Sequence, residues 1–316
     1  MITGAPPELQ QVGMNPSLFH KSDAKSWRGP CPRCGGTRRF VVFTDRPWPH
    51  WNFFCDSCAF EGFFDQLGAQ GEKMTPAQIA DWENKRLADE EEKRRQRVLK
   101  RAEYATSKIW LTYEHCMCEE NRAWWMTAGI PPSWQAFYHL GFEAEHHFEN
   151  HGEFYTRPAY VIPKFDPGWQ PTNCDFRLIN PPDGVGKYRP KAELQPAAFF
   201  TRPDYKEIAP DGKAIICEGS KKAMVTSIKL DEETQVIGLP SCNSWAEITE
   251  KLKGLERVWI IFDPDATVWS RRLALEIGKI ARVVTLPTKI DDAFLSYGLT
   301  KDLFKRVLAQ GRPVEV

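Results

Sequence analysis

Two pairs of cysteines constrain this chain more than any other feature. Cys31-Pro-Arg-Cys34-Gly-Gly and Cys55-Asp-Ser-Cys58 form CxxC, twenty residues, CxxC. Each CxxC sets two thiolates on one tight turn, and Gly35 and Gly36 let the backbone fold round an ion. Two such knuckles supply four sulfur ligands in tetrahedral array, the set that suits Zn2+. With four positions filled no coordination site stays open, so the zinc expected on Cys31, Cys34, Cys55 and Cys58 is structural. His50 is the alternative ligand. Arg33, Arg38 and Arg39 interleave with Phe40, Trp48, Trp51, Phe53 and Phe54. Cations for phosphates and rings for bases suit single-stranded nucleic acid; the plainer reading is that the rings cover a very small core.

The other five cysteines are scattered, and Met1-Ile-Thr-Gly-Ala-Pro-Pro lacks the basic and apolar regions of a secretory signal. An odd total of nine argues for a reducing, cytoplasmic setting and against a disulfide framework. No apolar run approaches the ~20 residues that span a bilayer, so no membrane partner is expected. Lys plus Arg and Asp plus Glu both number 42. Adhesion to nucleic acid through bulk charge is therefore excluded, although a local basic groove is not.

The 316 residues predict two or three compact units. Residues 1–28 read as a loose lead-in with one short helix near Pro16–His20, and 29–72 as the zinc ribbon. Residues 73–117 read as a charged helical linker. It opens on Thr75 as N-cap with Pro76 at the first helical position and runs to Glu114. Residues 118–205 begin with helices at Glu119–Ala128 and Pro132–Leu140, then turn β-rich at Ala159–Pro163, Thr172–Ile179, Lys187–Arg189 and Phe199–Thr201. His146, His147 and His151, among Glu143, Glu145 and Glu149, read as a solvated loop. Residues 206–297 alternate. Strands at Ala214–Cys217, Gln235–Leu239, Val258–Phe262 and Val283–Thr285 are separated by helices at Ser220–Ile228, Ser244–Leu252 and Ser270–Ala281. That pattern predicts a mostly parallel, doubly wound sheet, hence an α/β multi-domain protein. Residues 298–316 hold a terminal helix, Thr300–Ala309.

Ligands of doubly wound sheets sit at the carboxyl ends of strands, and acidic residues gather there. One strand ends in Glu218-Gly219, another in Asp263-Pro-Asp265, and Asp291-Asp292 follow a third. Five carboxylates on one edge repel each other unless cations neutralise them; hard oxygen ligands call for Mg2+ or Mn2+, and such a cluster suits phosphoryl or nucleotidyl transfer. Lys221, Lys222 and Lys289 are placed to hold phosphates. Each piece alone also fits an ordinary helix N-cap. Gly184-Val-Gly186-Lys187 lacks the spacing of a P-loop, so no nucleotide-driven motor is fused. His115, Cys116 and Cys118 lack a matching pair and read as a helix end with ordinary thiols.

The strand–Glu218-Gly219 and strand–Asp263-Pro-Asp265 elements resemble the TOPRIM signature of topoisomerases and bacterial-type primases. Asn121–Ile130 and Phe137–Phe142 resemble the opening helices of a bacterial primase core. Tyr160–Pro163, Phe176–Ile179 and Gly186–Lys191 resemble its β-rich subdomain, and an upstream zinc ribbon is the primase order. The resemblance covers 29–72 and 118–297. It implies catalytic Glu218, Asp263 and Asp265 holding two Mg2+ or Mn2+, helped by Asp291 or Asp292. Arg177, Lys187, Arg189, Lys191, Lys221 and Lys222 would line the nucleotide and template groove. Single-stranded DNA and ribonucleoside triphosphates would be the substrates. The partner would be a separate replicative helicase, in the bacterial cytoplasm or nucleoid, and the short length suggests a phage or mobile element. Two departures stand out: Lys222 occupies the position where the first motif carries Asp, and no Gly follows Asp-x-Asp. The motif is closer to TOPRIM variants with Glu-Gly-x-Lys-Lys. Rival readings are a nucleic-acid-binding replication accessory factor with a degenerate site, favoured by Lys222, and a TOPRIM nuclease.

Overall fold

A computed structural model describes residues 5–313, apart from Ala24, Arg38, Ala59, residues 68–75, His151, Glu193, residues 206–207 and residues 232–233. Arg38, His151 and the Thr75 cap thus lie outside the described residues. The chain forms two compact units, one of residues 1–92 with 151–153 and one of residues 93–150 with 154–316.

The first unit is an antiparallel meander of β1 (His20–Asp23), β2 (Ser26–Gly29), β3 (Phe40–Phe43), β4 (Asn52–Cys55) and β5 (Glu61–Phe63). Phe40 stands opposite Cys55 and Phe43 opposite Asn52, so the register brings a cysteine onto the core side. Leu9, Met14, Phe19, Trp27, Phe40, Val42, Trp51, Phe53 and Phe64 make one small core. The described residues of 5–28 are therefore not a loose lead-in. They supply β1, β2 and short 3-10 turns at Pro7–Val12 and Pro16–Leu18. Their apolar residues are spaced too widely to show a period, yet Leu9 is fully buried and the Phe19 ring lies where a side chain on Gly29 would stand.

The boundary between the units falls inside α1 (Pro76–Ser107). This helix ends before the expected Glu114. Ser107 Oγ donates to the Tyr104 carbonyl and accepts from the Ile109 N–H, drawing the backbone out of its ladder, and Lys108 turns left-handed at φ 51°. The break lets α2 (Ile109–His115) turn Trp110 and Tyr113 onto Phe165 and Phe176. Then follow α3 (Glu119–Thr127), α4 (Pro132–Phe137) and a sheet of β6 (Gly141–Asn150), β7 (Glu153–Phe165), β8 (Pro171–Leu178) and β9 (Tyr188–Pro190) in that order. The expected solvated loop with His146 and His147 is thus strand β6. His146 stacks on Phe176 at 3.9 Å and bonds Glu143, an alternation of faces that its polar composition conceals.

The last sheet runs β10 (Phe199–Phe200), β12 (Gln235–Leu239), β11 (Lys213–Glu218), β13 (Arg257–Ile261), β14 (Ala281–Val283). β11 to β14 are parallel, and β10 is antiparallel to β12. Helices α5 (Ser220–Leu230), α6 (Ala246–Leu252) and α7 (Thr267–Ile277) connect the strands, and α8 (Ile290–Leu295) and α9 (Lys301–Ala309) follow. Ala214 to Cys217 and all of β12 are buried, as strands covered on both faces must be. From β11 the chain crosses to β12 on one side and later to β13 on the other. The order reverses at β11, which opens a crevice at its carboxyl end. Among the described residues no helix is long and apolar enough to cross a membrane.

Candidate active site and metal centre

The four ribbon thiols converge. Cys31 and Cys58 Sγ are 3.7 Å apart, as are Cys34 and Cys55 Sγ, and all four lie within 4.8 Å of one another. Zn–S bonds of about 2.3 Å place tetrahedral sulfurs about 3.8 Å apart, so the set fits zinc. The knuckle is built by main chain: Cys31 N–H donates to the Gly36 carbonyl and Gly35 N–H to the Cys31 carbonyl, both at 2.9 Å, with Gly35 at φ 72°. The Gly36 N–H holds the Cys34 thiol down at about 7, while burial pushes Cys55 up to about 12. His50 faces Asp65 at 3.6 Å instead of joining the thiols. Phe40, Trp51 and Phe53, expected as possible base-stacking rings, are buried in the ribbon core.

In the second unit a cavity of about 340 Å3 opens at the carboxyl end of β11. Its lining brings together Arg177, Lys187, Glu218, Lys221, Lys222, Lys289, Asp291 and Asp292 from the sequence reading, and adds Asp175, Tyr188 and Ser220. Asp175 on β8 was invisible in sequence, because only the pairing of subdomains places it below Ser220. Its carboxylate accepts from Ser220 Oγ at 3.2 Å and pairs at 2.7 Å with Lys164, a fully buried lysine that also donates to the Ala197 carbonyl. Burial and the positive charges of Arg177, Lys221 and Lys289 hold Lys187 below the ordinary lysine range. These four cations share the cavity with the carboxylates of Asp175, Glu218, Asp291 and Asp292.

Glu218 and Asp263 stand at neighbouring strand ends: Cys217 pairs with Ile261, one residue before Glu218 and two before Asp263. Burial raises the Glu218 carboxyl above its ordinary value, and Asp263 and Asp265 add to the rise while Lys222 and Lys289 oppose it. Asp263 is not part of the cavity lining. Its Oδ1 accepts from Lys222 Nζ at 2.6 Å, and Lys289 Nζ lies 3.7 Å from its Oδ2. Asp265 is exposed on the turn that follows. Asp291 pairs with Lys221 at 2.9 Å, and its Oδ1 is buried without a hydrogen-bond partner. Among the described residues the four cysteines are the one set of three or more Cys, His, Asp or Glu whose ligand atoms all lie within 4.8 Å. The carboxylates at the strand ends do not form such a set.

Arg189 and Lys191 stand outside the cavity lining. Arg189 donates to the Glu149 carbonyl and Asn150 and lies over Phe148. Cys116 and Cys118 are exposed at the end of α2, and Cys118 Sγ accepts from Asn121. A larger cleft, about 920 Å3, lies between α7 and the chain end and has no carboxylate in its lining.

Neither a protein-family model nor a curated protein matches the chain. Solved structures do. The zinc-binding and RNA polymerase domains of Aquifex aeolicus primase match at a TM-score of 0.53 and 14% identity, over 98% of this chain and 84% of that one. A DnaG primase catalytic domain bound to ssDNA matches at 0.51 and 14%, over 70% and 83%. The Escherichia coli primase catalytic core matches at 0.51 and 14%, over 65% and 79%. The chain has the fold of DnaG-type primases.

Proposed function

We propose that this chain is a DNA primase of TOPRIM type, which joins ribonucleotides into short primers on single-stranded DNA. The observation that carries the reading is the cavity at β11. There one strand-end carboxylate, Glu218, meets Arg177, Lys187, Lys221 and Lys289, in a fold shared with primases.

The chemistry is attack of a primer 3′-hydroxyl on the α-phosphorus of an incoming triphosphate. A P–O bond forms, the α–β bridging bond breaks, and pyrophosphate leaves. Arg177, Lys187, Lys221 and Lys289 neutralise the triphosphate and the charge that builds on the leaving pyrophosphate. Glu218 lines the same cavity and is placed to accept the hydroxyl proton. Lys164 and Asp175 act beneath it, fixing Ser220 and so the first turn of α5, from which Lys221 and Lys222 project. On this reading Mg2+ or Mn2+ is needed, the template is single-stranded DNA, a separate replicative helicase is the partner, and the protein works in the bacterial cytoplasm.

The Lys222–Asp263 pair favours a second reading, an accessory factor that binds nucleic acid without polymerising. One assay separates them: single-stranded DNA of mixed sequence, Mg2+ or Mn2+, and labelled ribonucleotides, with Glu218→Gln as control. Short labelled oligomers from the wild type and none from the variant support the primase. Binding of DNA without product on several templates, with zinc confirmed, moves the assignment to the accessory factor, and template cleavage to a nuclease.

A further inference from the structure

The carboxylates at the ends of β11 and β13 have ammonium groups among them. Lys222 sits on the first turn of α5 and reaches Asp263 Oδ1 at 2.6 Å, with both side chains almost fully enclosed, 15% and 12% exposed. The stem is fixed, because Ala223 to Ser227 on the same helix are buried. Lys289 approaches the other oxygen of Asp263 at 3.7 Å. Both oxygens of this carboxylate therefore face cations that belong to the chain. Three carboxylates against two ammonium groups leave Glu218, Asp263 and Asp265 with one net negative charge, where an all-acidic edge would carry three. Of these three carboxylates only Glu218 and the exposed Asp265 are left to ligate, and Asp291 across the cavity is itself held by Lys221 at 2.9 Å. Hard divalent ions need several oxygen ligands, and a cation already seated in the cluster repels another.

We propose that the Lys222 ammonium is a built-in replacement for one divalent cation. Asp263 then serves as the anchor of Lys222, not as an ion ligand, and this edge of the sheet binds at most one divalent ion per chain. The inference rests on the reading of the β11 edge as the nucleotidyl-transfer site. It concerns how that site is charged, so it can be tested without polymerisation.

The test is a Mn2+ titration of the zinc-loaded full chain, followed by the electron paramagnetic resonance signal of free Mn2+. Thiolate ligands are soft and do not compete for this hard ion. The wild type should bind no more than one Mn2+ per chain. Lys222→Met should raise Mn2+ affinity by about tenfold or more, and Lys222→Arg, which keeps the charge, should stay within about threefold of the wild type. Two Mn2+ on the wild type would overturn the proposal, and that count needs no variant to fold. So would a Lys222→Met protein, folded by circular dichroism, with unchanged or weaker affinity. The counts hold whether or not primers are made. A wild type that makes no primers yet shows these affinities would retire the primase reading and leave the tethered cation standing.

Discussion

Lys164 is fully buried with a charge on it, and its position under the site gives it consequences out of proportion to its size. Its ammonium holds Asp175 at 2.7 Å, and Asp175 holds Ser220. Removing one member of such a pair strands the other charge in a dry place. Lys164→Met should cost about 3 kcal/mol in a denaturant titration, and adding Asp175→Leu should recover a large part of it. Glu218 carries the opposite lesson. Its carboxyl is raised, chiefly by burial, so the folded state holds this proton more tightly than the unfolded chain. Its favourable contribution is complete below the ordinary carboxylate value and is lost as pH rises through the raised one. Glu218→Gln should therefore melt at or above the wild-type temperature at pH 7, while primer synthesis disappears. Differential scanning calorimetry beside the labelled-nucleotide assay checks both halves. At this scale spacing and strand position were enough to gather Cys31 with Cys58 and Glu218 with Lys221, and the structure brings each pair together. The sequence was silent on Lys164 and Asp175, whose roles exist only once β7 and β8 are paired.

Elements were legible in proportion to how locally they are determined. The apolar runs of β11, β12 and β13 could only be buried strands, and the sheet contains them within a residue or two of the expected bounds. The end of α1 is made by the Ser107 hydroxyl, a residue type common inside helices, together with Trp110 and Tyr113 packing on Phe165 and Phe176 far along the chain. Lys108 takes the left-handed turn there without being glycine. Lys108→Gly should stabilise the protein by about 0.5 kcal/mol, read from the denaturation midpoint, because the substitution removes a Cβ strained at that φ. The ribbon makes the other element-scale prediction. Its core is small, and the burial that pushes Cys55 up to about 12 means zinc must displace protons to bind. Chelation should erase the near-ultraviolet signal of the packed ribbon aromatics and leave the melting of the second unit in place. Zinc affinity should weaken steadily as pH falls from 8 to 6.

For the whole molecule, net charge is zero, and Arg177, Lys187, Lys221 and Lys289 are gathered in one cavity. Binding of single-stranded DNA should therefore depend on few phosphate contacts. The logarithm of affinity should fall against the logarithm of salt with a slope of about −2 to −3, shallower by about 0.7 for Lys187→Ala. A steep slope would place the template elsewhere on the surface.

The turn after β11 has one more implication. Gly219 stands at φ 89°, and Gly238 on β12 packs so close that a Cβ there would lie 2.7 Å from the Gly219 carbonyl. Backbone lies directly on backbone at the point where Glu218 leaves its strand. The carboxyl end of β11 is thus located by main chain packed on main chain, with Ser220 behind it held by Asp175. Directed evolution of template or nucleotide preference can recast Arg177, Lys187 or Tyr188 without moving the carboxylate, whereas a single methyl group at Gly238 would shift the whole edge. Innovation in such a scaffold is cheap in the groove and nearly forbidden at two glycines.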